Sequence, residues 1–219
     1  MATHGKQSGG TKARVLESAC RLFAAKGYRD ATVQEICDEA GANVAAVNYY
    51  FRDKESLYVE ALRHALGIAS EAFPLDGGLA PDAPAEARLR AHVSATIRRI
   101  LSDGPPSYFH QMMVKEMAEP VAHHDRLMEE LLDPLRRNMH AILAELAGKG
   151  TGSRTVYFCA LSVVSQFLFF GFNKAARERV LKGRTPFKPP SVDELVEHIT
   201  RFSLAGVQAV REAAAGGDQ

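Results

Sequence analysis

Between Thr32 and Leu57 the chain carries side chains suited to touching a nucleic-acid duplex. The Asn48 carboxamide can make paired donor and acceptor bonds to an adenine edge. Ala45 and Ala46, with Val44 beside them, are small enough to approach base edges and meet thymine methyls. The Tyr49 hydroxyl and the Lys54 ammonium suit phosphate oxygens. Thr32 can offer its hydroxyl and the first N–H groups of a helix to a phosphate on the opposite strand. Asn43, just ahead of this group, completes the set of candidate DNA-contact residues. The chemistry on offer is recognition.

Such contacts need a short helix held from behind by its neighbours. Thr32 predicts an N-cap for a helix whose inward face is Val33, Ile36, Cys37 and Ala40. Gly41 supplies the permissive backbone that ends it, and Asn43 caps the next helix. There Val47, Tyr50 and Phe51 fall at i, i+3, i+4 and face inward, leaving Ala45, Ala46, Asn48 and Tyr49 outward. Helix, glycine turn and short helix with a small, polar outer face make a helix-turn-helix pattern. Before it, Thr11 to Lys26 reads as a helix with a stripe of Val15, Leu16, Ala19, Leu22 and Phe23, stopped by Gly27. After it, Asp53 can cap a longer helix from Lys54 to about Ala72, striped by Leu57, Tyr58, Ala61, Leu62 and Ala65.

Thr32, Ile36, Ala40-Gly41, Asn43, Tyr50-Phe51, Lys54-Glu55 and Leu57 resemble the DNA-binding domain of TetR-family repressors. The string NVAAVNYYF is similar to the CecR-like branch, as is HITRFSLAGVQAVRE (His198 to Glu212), which resembles that branch's last helix. The resemblance implies that the matching positions supply operator contacts. It also implies that the last two long helices form a four-helix homodimer interface, and that a small-molecule effector binds the C-terminal domain. Asn48 stands where the wider family has an aromatic residue and Ala45 where it commonly has glycine. Both departures agree with the CecR-like pattern and bear on the operator sequence.

Bulk composition fits a soluble globular protein: 46% hydrophobic and 24% charged in 219 residues, with a net charge of +1. Residues 1–63 hold nine Lys and Arg against eight Asp and Glu, so positive charge must be placed locally. The candidates are Lys6, Lys12, Arg14, Lys26, Arg29, Arg52 and Lys54; all but Lys54 read as solvated surface. Cys20, Cys37 and Cys159 have no CxxC spacing, which points to packed thiols in a reducing cytoplasm. No segment reaches the ~18–20 apolar residues of a membrane span, and MATHGKQSGG lacks a signal-peptide core.

Pro74, Gly77-Gly78, Pro81 and Pro84 mark a linker. Helical patterns follow over Ala85 to Leu101, Ser107 to Met117, Asp125 to Leu146, Ser153 to about Lys182 and Val192 to Ala214, with a loop at Gly183–Pro190. The fold class is all-α: residues 1–10 are expected as a flexible arm, 11–58 as the helix-turn-helix domain and 59–219 as a ligand-binding and dimerisation domain. Tyr157 to Phe172 is apolar almost all round and must be covered on more than one side. Phe109, His110, Met112, Met113 and Met117, with Gln166, Phe167 and Phe170, are candidate effector contacts, being aromatic, soft and adaptable. Each also fits an ordinary core position. Glu116, Glu119, Glu129 and Glu130 read as solvated.

His123-His124-Asp125 lacks metal-ligand spacing, since adjacent residues point apart. No catalytic triad, phosphate-binding glycine loop or HExxH spacing appears, and no cofactor or metal is expected. The reading is a cytoplasmic, homodimeric, ligand-responsive regulator, a repressor released from a palindromic operator. A DNA-binding regulator without an effector and a helical small-molecule enzyme are the two competing readings.

Overall fold

The computed structural model describes residues 4–120, 124–171 and 190–216, and these contain helices and turns but no strand. The helices are α1 His4–Asp30, α2 Val33–Ala40, α3 Val44–Phe51, α4 Lys54–Ala72, α5 Ala85–Leu101, α6 Tyr108–Ala118, α7 His124–Ala147, α8 Ser153–Gly171 and α9 Val192–Gly216. Helix α1 starts ahead of the expected Thr11, so residues 4–10 are helical despite three glycines. His123, the expected end of the α8 segment beyond Gly171 and the loop from Gly183 lie outside the described residues.

The chain divides into two compact units: Met1–Ala72 with Ser102–Leu127, and Phe73–Leu101 with Met128–Gln219. The unit that holds the helix-turn-helix is therefore larger than residues 11–58. It takes in all of α4, together with α6 and the 3-10 turn Pro105–Ser107. Helix α1 packs on α2, α4 and α6, and Val15, Ala19, Phe23, Leu57, Ala61, Leu62 and Met112 are all buried. Near its end α1 breaks at Gly27 (φ 85°, ψ 175°). A Cβ there would sit 3.2 Å from the Lys115 side chain, so both backbone and space call for glycine.

At the centre of this unit Tyr58 packs edge-on to Phe23, with ring centroids 4.9 Å apart, and lies 5.1 Å from Tyr28. Its hydroxyl donates to Glu116 Oε2 at 2.9 Å. Glu116 is 1% exposed, which overturns its reading as a solvated acid. The buried face of α6 is Phe109, Met112, Met113 and Glu116, whereas Met117, expected on that face, is 63% exposed. Burial raises the Tyr58 pKa, and the neighbouring carboxylate raises it further. The Cys20 thiol donates to the Ala61 carbonyl at 3.2 Å, and burial pushes its pKa up to about 12, making it inert at neutral pH.

The second unit is built on α5, α8 and α9, with Leu89, Val93, Ile97, Met139, Leu143, Val163, Phe167 and Ile199 in its core. Ion pairs Arg98–Asp193 and Arg90–Glu197 join the outer edges of α5 and α9. Gln166 reaches from α8 to the Ser203 hydroxyl of α9 at 3.2 Å. His92 is buried, with its Nδ1 3.3 Å from the Asn138 amide nitrogen. An amide donor at that position pairs with the tautomer of neutral imidazole whose Nδ1 is the acceptor. Burial first, and then the Arg99 charge, bring the His92 pKa from 6.5 down to about 4.

The unfolded chain therefore takes up this proton before the folded one does. Stability should be indifferent to His92 above about pH 6.5, fall by on the order of 3 kcal/mol down to about pH 4, and level off below. Urea unfolding at several pH values checks this, and His92→Gln should remove that part of the pH dependence.

Candidate nucleic-acid interface

The recognition helix owes its position to local capping. Thr32 (φ −106°, ψ 150°) caps α2: its hydroxyl accepts from the Glu35 N–H at 3.2 Å, and its own N–H donates to Glu35 Oε2 at 3.0 Å. This reciprocal box satisfies two amides that the helix itself leaves unpaired. Glu35 also pairs with Lys26 at 2.6 Å. That hydrogen bond, followed by those from Thr32, takes the carboxyl down to about 2. The start of α2 is thus already occupied by the protein's own anion, and Thr32 is engaged in holding it.

Gly41, in the left-handed region (φ 60°, ψ 42°), ends α2. Asn43 then caps α3, its side-chain oxygen accepting from the Ala46 N–H at 2.9 Å. Val47 and Phe51 are buried and Tyr50 is half-buried, while Val44, Ala45, Asn48 and Tyr49 face out, with Ala46 at the edge. Tyr49 is 81% exposed and packs edge-on to Tyr50 at 4.9 Å. The predicted contact residues Val44, Ala45, Asn48 and Tyr49 therefore share one outward surface.

Helix α4 opens on Asp53, whose carboxylate accepts from the Ser56 N–H at 2.8 Å, a bond that lowers its pKa. Lys54, expected to reach outward, is half-buried. Its ammonium donates to the Arg29 carbonyl at 3.2 Å and lies 4.6 Å above the Tyr28 ring. Burial lowers its pKa, against the opposing charge of Asp30. An ammonium has three N–H groups, so this anchoring leaves donors for a phosphate while fixing where they point. Nothing in the local sequence pairs Tyr28 with Lys54; the contact depends on the break at Gly27.

The other cations named from the sequence are mostly committed. Lys26 pairs with Glu35 and Arg29 with Glu119, Arg14 donates to the Ala40 carbonyl, and Lys12 lies over the Phe51 ring. The side chain of Lys6 lies outside the described residues. Arg52, the C-cap of α3, adopts φ 72°, ψ −52° and is the one non-glycine with positive φ among the described residues. Such a conformation costs about 1–3 kcal/mol for a residue with a side chain.

Residues 15–61 match the family of bacterial regulatory proteins called tetR, and residues 85–207 match the C-terminal domain of the HTH-type transcriptional dual regulator CecR. The chain belongs to the TetR family, in its CecR branch. It is a transcriptional regulator with a TetR-type DNA-binding domain, and the relatives it matches are regulators, not enzymes. It is 24% identical over 182 residues to CecR of Shigella flexneri, covering 80% of each chain. The fold is shared with the fatty acid degradation regulator FadR of Bacillus halodurans (TM-score 0.65, 16% identity, 89% of this chain and 98% of that one). It is shared too with AibR, solved with isovaleryl coenzyme A and operator DNA (TM-score 0.65, 15% identity, 88% and 97%).

The effector candidates of this TetR-family chain belong to two different units. Phe109, Met112 and Met113 are core side chains of the first unit, with His110 half-buried beside them and Met117 exposed. Gln166, Phe167 and Phe170 belong to the second unit, where Phe167 lies in the core and Phe170 packs against it. Among the described residues no group of His, Cys, Asp and Glu could hold a metal ion, and no helix is long and apolar enough to cross a membrane.

Proposed function

We propose that this regulator is a cytoplasmic homodimeric repressor that holds a palindromic operator and releases it when a small molecule binds its C-terminal domain. The observation that carries the DNA-binding half is the outward surface of α3, where Asn48 and Tyr49 stand exposed among small residues on a helix capped and braced from behind. In this reading Val44, Ala45, Ala46 and Asn48 face base edges, and Tyr49 and Lys54 take phosphates. Asn43 and Thr32 act chiefly by fixing the starts of the two helices.

Support for a dimer comes from the apolar side chains left uncovered in the second unit. Tyr157, Phe158, Leu161 and Val164 on α8 and Phe202 on α9 are exposed, an unusual grouping for a surface that meets only water. Two copies of α3 on a two-fold axis would reach successive major grooves ~34–36 Å apart. Effector binding is supported by the AibR complex, in which a regulator of this fold was found with an acyl-coenzyme A and operator DNA; release of DNA is the part that experiment must supply. Phe109, His110, Met112, Met113 and Met117 on α6 and Gln166, Phe167 and Phe170 on α8 are the effector-side candidates, and α6 also packs on α4. An effector can shift the protein only as far as its affinities for the two states differ.

Lys54→Ala tests the phosphate assignment. Anisotropy titrations with operator DNA should show about a fivefold to tenfold loss, with the slope of log affinity against log salt reduced by about one. Equal affinity and an unchanged slope would remove Lys54 from the interface.

A further inference from the structure

We infer that Arg52 is a DNA-backbone anchor, its guanidinium gripping a phosphate beside the α3–α4 corner, an inference that rests on the DNA-binding reading above. Two independent observations converge on it. The first is commitment of charge. Of the cations named from the sequence whose side chains are described, Arg52 alone has a side chain that makes no hydrogen bond, ion pair or ring contact among the described residues. Its charge is felt by the adjacent Asp53, but that carboxylate is bonded to the Ser56 N–H and closes α4. The guanidinium is left in solvent with its five donors unspent.

The second observation is conformation. At φ 72° the backbone of residue 52 suits glycine, yet the chain carries one of its longest side chains there. Arg52 follows Tyr49 by three residues and Asn48 by four, and its own N–H closes α3 by donating to the Asn48 carbonyl at 3.2 Å. It therefore stands at the end of the recognition helix whose outward side chains are assigned to DNA. A planar guanidinium there can take a phosphate through two N–H groups. The other described cations named from the sequence are each held by an acid, a carbonyl or a ring, so Arg52 is the one whose guanidinium can turn wholly to DNA. Strain held at a binding surface is the expected pattern where the residue serves the partner.

The test uses the full-length chain, DNA selected from a random pool, and three variants. Arg52→Gly should melt a few degrees higher, because the strain is relieved, yet bind the selected DNA about tenfold more weakly, with the salt slope reduced by about one and the sequence preference unchanged. Arg52→Ala should lose the same affinity without the thermal gain. Arg52→Lys should keep the slope. If DNA is selected and Arg52→Gly binds it with wild-type affinity and slope, the anchor is overturned while the DNA-binding reading stands. A chain that selects no DNA overturns both.

Discussion

Phe202→Asp should leave the isolated subunit folded and make it monomeric, with operator affinity lower by at least a hundredfold. Phe202 is 64% exposed, so within one subunit a charge there meets water and costs little. In a two-fold interface the same substitution appears twice and buries two unpaired carboxylates. The neighbouring surface of α9 is smooth, with Ala205, Gly206 and Ala209 exposed, and α8 adds Tyr157 at 56% and Phe158 at 52% exposure. Losing the interface severs two half-site contacts that otherwise reinforce one another by ~10²–10⁴-fold. Sedimentation and operator titration on the same sample check both halves of the expectation. A dimeric variant with unaltered affinity would mean that the apolar faces of α8 and α9 serve another purpose.

The second large effect lies inside the first unit. Tyr58→Phe should cost about 1.5–3 kcal/mol, because Glu116 is buried and loses a hydrogen bond made at 2.9 Å. Replacing both partners, as Tyr58→Phe with Glu116→Met, should recover most of that loss, since an apolar pair of similar volume leaves no carboxyl to solvate. Thermal melts followed by circular dichroism should place Tyr58→Phe several degrees below wild type and the double variant between them. Equal loss in the single and double variants would show that the pair is not coupled. The bond also fastens α6 to α4, the helix whose first turn carries Lys54.

What the sequence made legible follows from how local each feature is. Thr32, Gly41 and Asn43 act on atoms within three or four residues of themselves, and all three fill the capping roles expected of them. The inward positions Ile36, Cys37, Ala40, Val47 and Phe51 follow from helical period alone and are buried. Glu116 shows where that reasoning fails. Phe109, Met112, Met113 and Glu116 fit i, i+3, i+4, i+7 better than a stripe ending at Met117, so the period itself was informative.

Charge argued against burial, and the partner that makes it tolerable lies 58 residues earlier, beyond any local pattern. Lys54 is a similar case. Its position at the start of α4 could be read, but the Tyr28 ring and Arg29 carbonyl that hold it are brought there by tertiary packing around Gly27. Arg52 was visible as a cation, while its backbone conformation was not.

In the proposed function α3 reads DNA sequence as one of a symmetric pair. Selection of bound sequences from a random duplex pool with the full-length protein, repeated with Asn48→Ala, tests it most directly. The wild type should enrich a palindrome whose half-site centres are about 10–10.5 base pairs or a multiple apart, and Asn48→Ala should relax preference at one base pair in each half-site. No enriched sequence, or a preference at every position indifferent to Asn48→Ala, would contradict it.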